Sequence, residues 1–280
     1  MVTLITDSGC DISQEEAKKL GIKILPILTL FGEETYRDGI DISGEDFYKK
    51  LASSKVFPHT AQINAYTYEE ALKEEIEKGN DVLIITLSSK LSGCYQSAML
   101  ASEAYRDKVS VFDSQNVSMG QAALVYFAHS LLQEGKSREE VVNALEAKKS
   151  KVKVFALLDT LEYLKRGGRI AKTTAFLGEL LGIKPIVTVI NGEVKVASKA
   201  KGLHLAAKSI KSLIEKSGGV DDSLPLLIAS SGDKKEEFMR FTQEIGLGFE
   251  TKSANIHLIG ATIGTHVGPN AKEIAYFQKG

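Results

Sequence analysis

The chain has 280 residues, of which 43 % are hydrophobic and 25 % charged, a globular composition and a length that favours two domains. Its formal net charge of -1 leaves no positive field for nucleic-acid phosphates, and Cys10 and Cys94 lack the spacing of a zinc site or disulfide scaffold. The sequence shows neither a signal peptide nor the ~20 apolar residues in a row that span a bilayer. We therefore expect a cytoplasmic protein that binds no nucleic acid.

The first half of the chain alternates short apolar strands with helices. Ser13 and Glu16 have the spacing of a capping box, ahead of a helix that should end at Gly21. The further predicted elements are strands over 2–6, 22–30, 81–87 and 109–113 and helices over 95–105 and 121–134. Alternation of this kind predicts a doubly wound, mainly parallel sheet.

The second half predicts a mixed sheet. Asn191-Gly192 lies between the apolar runs 186–190 and 193–197, the strongest short-range signal for a β-hairpin. The remaining predicted elements are helices over 160–165, 174–181, 203–215 and 236–245 and strands over 226–230 and 255–259. We predict an α/β protein with two domains: residues 1–155, and residues 156–280 with a mixed sheet that includes the antiparallel hairpin.

Three polar segments stand out as candidate binding loops. They are Pro58–Asn64, Ser88–Tyr95 and Ile259–Pro269, the last interpreted as a strand that breaks into a glycine-rich turn around His266. Ligands of doubly wound sheets bind outside the carboxyl ends of the strands, and a helix N-terminus favours an anion. The segments therefore indicate a site for an anionic ligand.

Each segment also fits an ordinary structural interpretation. Ser92 is placed to cap a helix, Thr60 and Asn64 to stabilise turns, and His266 to bond a nearby carbonyl. The chain lacks the P-loop, dinucleotide, nucleophile-elbow and HExxH motifs, and its five histidines do not fall at metal-ligand spacing. The sequence therefore carries none of these nucleotide, nucleophile or zinc motifs, and we expect no metal or cofactor.

A basic turn follows the predicted helix over 160–165. Lys165, Arg166 and Arg169 surround two glycines. The turn is either a solvated surface or a docking patch for an acidic partner or anionic lipid headgroups, including transient contact with a membrane surface.

Together, several of these segments resemble the DegV family of bacterial fatty-acid-binding proteins. The matching motifs are Thr6-Asp7-Ser8, Thr60 in its loop, Leu87–Gly93, Asp113-Ser114, Leu161–Ile170 and Ile263–Pro269. They follow the family's order and spacing from the first strand to the last loop. The resemblance implies a two-domain α/β carrier, not an enzyme, that holds one long-chain fatty acid between its domains.

The resemblance also implies roles for particular residues. Thr60 and Ser92 bind the fatty-acid carboxylate with His266 close by, and the possible supporting residues are Asn64, Gly93 and Thr265. The carboxylate is presented to a separate fatty acid kinase that makes acyl phosphate, a step of phospholipid metabolism, and the possible docking residues are Lys165, Arg166 and Arg169. Ala61, Ile63 and Asn270 depart from the family's pattern, which affects the mouth of the pocket.

A long acyl chain needs an apolar tunnel, because burial gains roughly 0.8 kcal/mol per CH2. The candidate lining residues are Phe176, Leu177, Leu180, Leu181 and Ile183. Two alternatives stay open: a serine-dependent hydrolase or acyltransferase with Ser92 as nucleophile and His266 as base, and a phosphate or nucleotide binder that uses the glycine-rich loops.

Overall fold

A computed structural model describes residues 1–170, 182–232, 234–246 and 256–279 of the chain. The strands are β1 (Val2–Asp7), β2 (Ile22–Leu25), β3 (Leu28–Phe31), β4 (Glu34–Arg37), β5 (His59–Ala61), β6 (Asp81–Thr86), β7 (Val109–Asp113), β8 (Val152–Leu157), β9 (Ile183–Ile190), β10 (Glu193–Lys201), β11 (Leu226–Ser230), β12 (Ile256–Leu258) and β13 (Lys272–Phe277). The helices are α1 (Gln14–Leu20), α2 (Gly44–Ser53), α3 (Ala65–Glu77), α4 (Cys94–Ser102), α5 (Met119–Gln133), α6 (Arg138–Lys148), α7 (Glu162–Arg166), α8 (Gly202–Lys216), α9 (Lys235–Ile245) and α10 (Ala261–Val267). The predicted α/β class is confirmed.

The N-terminal sheet is parallel and has the order β2-β1-β6-β7. Neighbouring residues of one strand enter different cores: Leu4 packs on one face of the sheet and Ile5 on the other. Helices therefore cover both faces, as βαβ connections require. The predicted doubly wound parallel sheet is confirmed.

Local capping sets the bounds of the first helix as expected. Ser13 Oγ accepts a hydrogen bond from the backbone N–H of Glu16 at 3.1 Å. Gly21 ends α1 with φ 69°, a left-handed conformation that costs glycine little.

The strand predicted over 22–30 is wrong: these residues form two strands in two different sheets. β2 joins the parallel sheet, whereas β3 lies in a three-stranded antiparallel sheet of order β4-β3-β5. Pro26 separates them, and its lack of an N–H prevents a continuous ladder. The third sheet, which the sequence analysis did not predict, carries Thr60 on β5 rather than in a loop.

The C-terminal sheet is mixed and has the order β10-β9-β8-β13-β11-β12. Its predicted Asn-Gly hairpin is confirmed, with Asn191 at φ 52° and Gly192 at φ 81°. β13 was not predicted, although it is completely buried between β8 and β11. The boundary predicted after residue 155 falls within β8, and the division into two domains stays a prediction.

Helix α5 packs against both large sheets. Its buried residues share one hydrophobic cluster with residues of both sheets, among them Leu83 and Ala275. On the opposite face of the mixed sheet, α8 and α9 enclose a separate core around Phe238 and Phe241. None of the described helices combines the length and apolar character that crossing a bilayer requires.

The glycine-rich turn predicted around His266 is wrong, because Ala261–Val267 form helix α10. Asp38 accepts hydrogen bonds from the first two N–H groups of α10, those of Ala261 and Thr262, at 3.0 and 3.1 Å. Gly264 lies within the helix, where a Cβ atom would come within 2.6 Å of Phe47 and of the Tyr48 hydroxyl. Glycine is therefore needed here for close packing and not for a turn.

Candidate functional site

A cavity of about 370 Å³ lies beyond the carboxyl ends of the parallel strands, where α10 and β10 approach them. Its polar wall residues are Thr60, Gln62, Ser92, Arg169, Thr262 and His266. Its apolar wall residues are Ile27, Ala61, Leu87, Leu91, Val117, Leu164, Val194, Ile263 and Val267. An apolar cavity with a few convergent polar groups is the usual form of a small-molecule site.

Thr60 and His266 meet directly in this wall, although 206 residues separate them. Thr60 Oγ1 lies 2.9 Å from His266 Nε2. The register of the three-stranded sheet, in which Thr29 pairs with Thr60, fixes the hydroxyl. The imidazole is fixed by α10, whose N-terminus Asp38 holds.

His266 is neutral near pH 7. Burial and, to a smaller extent, the positive charge of Arg169 lower the pKa of His266 from 6.5 to about 4. Its Nδ1 atom is buried and has no hydrogen-bond partner among the described residues. Gly167 covers this side of the ring so closely that a Cβ atom there would lie 2.3 Å from Nδ1. The ring therefore offers hydrogen bonds but no charge.

Ser92 contributes a weakly engaged hydroxyl at the start of α4. Its Oγ donates to Cys94 Sγ at 3.2 Å and accepts from the Cys94 N–H at 3.3 Å. Sulfur is a weak acceptor, so the hydroxyl proton is available to a better one. Gly93 lies beside it, and any Cβ atom there would be 1.9 Å from Gln62 Oε1.

Two of the predicted supporting residues serve their own helices instead. Asn64 caps α3 by accepting a hydrogen bond from the Thr67 N–H at 2.9 Å. Thr265 donates to the carbonyl of Ala261 at 2.8 Å within α10. Neither lies in the described part of the cavity wall, whereas Gly93 does.

The candidate tunnel residues lie mostly outside the described residues: Phe176, Leu177, Leu180 and Leu181. Ile183 begins β9 and is not in the described part of the cavity wall. The described apolar wall is formed by residues that follow the parallel strands and by residues of β5, β10, α7 and α10. These segments are distant in sequence, so their role as lining follows from the topology of the fold.

The basic turn divides into an outer and an inner part. Lys165 and Arg166 are exposed, and Arg166 pairs with Glu162 and lies 4.8 Å from the centre of the Phe57 ring. Arg169 instead lines the cavity, and its Nε donates to the Leu91 carbonyl at 3.2 Å. We predicted one patch for all three cations, because the sequence of a turn does not indicate the direction in which each side chain extends.

The hairpin is a site element that the sequence analysis missed. Val194 of β10 lines the cavity, and Ser88 Oγ donates to the Gly192 carbonyl at 2.8 Å. This contact joins the hairpin to the loop after β6 across 104 residues of sequence. The hairpin signal itself was strong, but nothing in it indicates what the turn packs against.

A second polar cluster lies next to the cavity and consists of buried carboxylates. Asp7 accepts three hydrogen bonds, from the Gly9 and Leu87 N–H groups and Gln121 Nε2, at 3.0, 2.8 and 3.1 Å. Asp11 accepts from the Gly260 N–H at 2.8 Å and from Ser118 Oγ at 2.6 Å. Burial raises the pKa of Asp7 to about 6 despite these bonds.

Glu273 of β13 extends this buried cluster. Its Oε1 accepts from the Met119 N–H at 3.0 Å, and burial raises the pKa of Glu273 to about 7. Within the described ranges, no group of histidine, cysteine and acidic residues has the arrangement of a metal site.

Known proteins that resemble the chain share its whole length. The family model "Uncharacterised protein, DegV family" matches residues 1–279. A DegV domain-containing protein of Caldanaerobacter subterraneus is 32 % identical over 285 residues, covering 99 % of each chain. A solved DegV family protein from Thermus thermophilus, described for its fatty acid binding, is 33 % identical with a TM-score of 0.88 and 99 % coverage of both chains.

A second solved structure, a stearic-acid-binding protein from Eubacterium ventriosum, is 26 % identical with a TM-score of 0.84 and covers 100 % of this chain and 99 % of its own. These related DegV structures bind fatty acids. On the match over nearly its full length, the chain belongs to the DegV family.

Proposed function

We propose that the protein binds one long-chain fatty acid in the cavity, between its N-terminal and C-terminal parts. The observation that carries this proposal is the 2.9 Å contact of Thr60 with His266 at the polar end of an otherwise mostly apolar wall. Solved DegV relatives that bind fatty acids share the fold over 99 % of the chain, which supports the same ligand class.

The polar end suits a carboxylate. The hydroxyls of Thr60 and Ser92 donate to it, and the neutral imidazole of His266 supports Thr60, because Thr60 Oγ1 can accept the Nε2–H of the ring while its own proton bonds the ligand. Ser92 exchanges its weak sulfur acceptor, Cys94 Sγ, for a charged oxygen, which forms a stronger bond. The N-terminus of α4 adjoins Ser92 and adds a favourable dipole.

The apolar wall suits the acyl chain. Each buried CH2 group contributes roughly 0.8 kcal/mol before ordering costs, so a long chain supplies most of the affinity. The carboxylate bonds then fix the direction in which the fatty acid enters. A short carboxylic acid should bind far more weakly than a long one.

We further propose a carrier rather than an enzyme, one that presents the carboxylate to a separate fatty acid kinase. In the structure, His266 Nε2 contacts Thr60 and not Ser92, so the serine–histidine pair that a hydrolase needs is not formed. Of the basic turn, Lys165 and Arg166 are exposed, and they are the residues we propose for kinase docking.

The binding proposal is tested with protein stripped of lipid. Native mass spectrometry of the purified protein should reveal a bound fatty acid, and titration with hexadecanoate should restore it to the stripped protein. Thr60→Ala and Ser92→Ala should each weaken binding by about 1–3 kcal/mol, since each removes a partner of a buried charged group. Thr35→Ala, an exposed threonine on β4, serves as the matched control.

Unchanged hexadecanoate affinity in both variants would remove Thr60 and Ser92 from the site. A purified protein that carries no lipid and takes up none would overturn the function itself, and a co-purifying nucleotide mass would favour a nucleotide binder. Hydrolysis of an acyl ester that Ser92→Ala abolishes would favour the hydrolase.

The carrier role is tested separately with a purified bacterial fatty acid kinase and ATP. Arg166→Glu should lower the rate of acyl phosphate formation while leaving hexadecanoate binding unchanged, because the side chain lies on the surface. A normal rate with this variant would exclude Arg166 from docking.

A further inference from the structure

The inward side of β3 carries one polar side chain, Thr29, between the apolar side chains of Ile27 and Phe31. All three residues are buried, and Thr29 has no exposed surface. Its Oγ1 atom has no hydrogen-bond partner among the described residues. A buried hydroxyl without a partner costs free energy, whereas valine has the same shape, suits a strand equally well and carries no such cost. A threonine at this position therefore needs an explanation other than the stability of the fold.

The register of the three-stranded sheet places Thr29 next to Thr60. The two residues are direct partners in the antiparallel pair of β3 and β5. Side chains of such partners lie on the same face of a sheet, with Cβ atoms roughly 4.5–5.5 Å apart, and paired threonines can share a hydrogen bond. Helix α10, which carries His266, packs against both strands. The buried hydroxyl of Thr29 thus lies on the same face as the polar end of the cavity, although Thr29 is not in the described cavity wall.

The Thr60 hydroxyl has room for one more hydrogen bond beyond those to His266 and the ligand. A hydroxyl donates one hydrogen bond and accepts two. His266 Nδ1 is buried beside Gly167 without a partner among the described residues, so a proton on Nδ1 would have no acceptor. The neutral ring therefore carries its proton on Nε2 and donates it to Thr60 Oγ1 over 2.9 Å. The Thr60 proton is then available to a carboxylate, and one acceptor position of Oγ1 stays open.

We propose that Thr29 is a positioning residue of the ligand site, whose hydroxyl donates to Thr60 Oγ1 when Thr60 donates to the bound carboxylate. This inference rests on the proposed fatty-acid function and deepens it by naming what directs the Thr60 proton toward the ligand. With Thr29 and His266 both donating to its oxygen, Thr60 has only its own proton left to offer. Hydrogen bonds in such a chain also polarise one another, which strengthens the last bond to the ligand.

The bond between the two threonines forms by rotation of the Thr29 side chain about its Cα–Cβ bond. No hydrogen bond to a described residue holds Thr29 Oγ1 in its present orientation. The backbone need not move, because the register of β3 and β5 already sets the distance between the two residues. Thr29 therefore acts through Thr60 and does not touch the ligand itself.

The experiment measures hexadecanoate affinity and urea unfolding for lipid-stripped wild type, Thr29→Val, Thr29→Ser and the control Thr35→Val. Thr29→Val keeps the shape and removes the hydroxyl, so hexadecanoate binding should weaken about 3- to 10-fold, the scale of one hydrogen bond. The urea midpoint of Thr29→Val should be equal to or higher than that of the wild type, because an unpartnered buried hydroxyl is gone. Thr29→Ser retains the hydroxyl and should bind within about twofold of the wild type. Thr35 is an exposed threonine of β4, and Thr35→Val should bind as the wild type does.

A double-mutant cycle with Thr60→Val shows whether Thr29 acts through Thr60. In the Thr60→Val background, Thr29→Val should change hexadecanoate affinity by less than about twofold, because the oxygen that accepts from Thr29 is absent. A residue that contributes only packing would produce the same loss with and without the Thr60 hydroxyl.

The outcomes separate this inference from the function on which it rests. Failure of the wild-type protein to bind hexadecanoate would overturn both. Wild-type affinity in Thr29→Val, or equal losses from this change in the wild-type and Thr60→Val backgrounds, would overturn the role of Thr29 and leave the function standing. The role of Thr29 would also be overturned by a lowered urea midpoint in Thr29→Val, or by a loss of affinity in Thr29→Ser as large as in Thr29→Val, since either result would show that Thr29 serves packing.

Discussion

The two polar clusters at the carboxyl ends of the parallel strands differ in how far their hydrogen bonds are satisfied. The buried carboxylate cluster also includes Asp38, which lies beside Asp11 at the start of α10. Asp38 and Asp11 accept backbone N–H groups at 2.8 to 3.1 Å, and each has both carboxylate oxygens engaged. In the cavity wall, the Thr60 hydroxyl contacts only His266 Nε2 among the described residues, and the Ser92 proton lies on sulfur.

This difference separates polar groups that stabilise the fold from those that we propose for ligand binding. A buried polar group whose bonds are complete stabilises the fold, and removing it strands its partners. A group with spare hydrogen-bonding capacity at a cavity contributes little to stability and is available to a ligand. Mutations in the first cluster should therefore reduce stability, and mutations in the second should reduce binding.

The largest effect is expected for Asp38→Ala. The change removes the cap of α10 and strands the buried N–H groups of Ala261 and Thr262, which should cost on the order of 3–5 kcal/mol of unfolding free energy. Urea unfolding measures the loss. Asp41→Ala, which removes an exposed pair with Arg37, is the matched control and should cost much less. Equal losses would contradict the structural role of Asp38.

Glu273→Gln should change how stability depends on pH. Because burial raises the folded-state pKa of Glu273 from 4.5 to about 7, the folded state holds this proton more tightly, and the wild type loses stability as pH rises through that window. The loss should be on the order of 3 kcal/mol between pH 4.5 and 8. Urea unfolding at pH 5 and pH 8 should show a smaller loss of unfolding free energy for Glu273→Gln than for the wild type. Equal losses in the two proteins would contradict the raised pKa of Glu273.

His266→Gln should change the pH dependence in the opposite direction. The folded-state pKa of about 4 lies below the ordinary 6.5, so the unfolded state binds the proton more readily and the wild type loses stability as pH falls from 6.5 to 4. Partial exposure of the ring reduces the effect to about 2 kcal/mol. If His266→Gln loses as much stability as the wild type between pH 6.5 and 4, the imidazole of His266 is not a buried, neutral group in the folded protein.

The smallest stability effect is expected for Thr60→Val. The substitution preserves shape and the β-branched form that strands favour, and it removes one hydrogen bond to His266, so unfolding free energy should fall by about 1 kcal/mol or less. Hexadecanoate affinity should fall in the same variant. A large loss of unfolding free energy with unchanged hexadecanoate affinity would show that Thr60 stabilises the fold, as the buried carboxylate cluster does, and does not bind the ligand.

Local signals predicted the parts of the fold that depend on neighbours in sequence. Ser13, Gly21 and the Asn191-Gly192 turn appear where capping and turn chemistry place them. Long-range packing decided the rest. β13 begins with Lys272 and Glu273, two charged residues that are typical of a surface, yet both are buried. Lys272 pairs with Glu237, and Glu273 accepts a hydrogen bond from the Met119 N–H.

The sequence indicated three residues of the cavity wall but not their geometry. Family resemblance named Thr60, Ser92 and His266, whereas their arrangement depends on a third sheet and a helix that the sequence did not indicate. Gly264 illustrates the reason: a glycine within α10 reads as a turn unless the aromatic rings that pack on it are known. Arg169 likewise read as surface charge, because its contacts with Leu91 and the cavity are distant in sequence.

Gly264 sets the position of the His266 imidazole through the close packing of α10 on α2. Because the helix backbone rests directly against Phe47 and Tyr48, the distance between α10 and α2 sets how far His266 reaches toward Thr60. A smaller side chain in place of Phe47 or Tyr48 would therefore shift His266 relative to Thr60 without any change to the residues of the cavity wall.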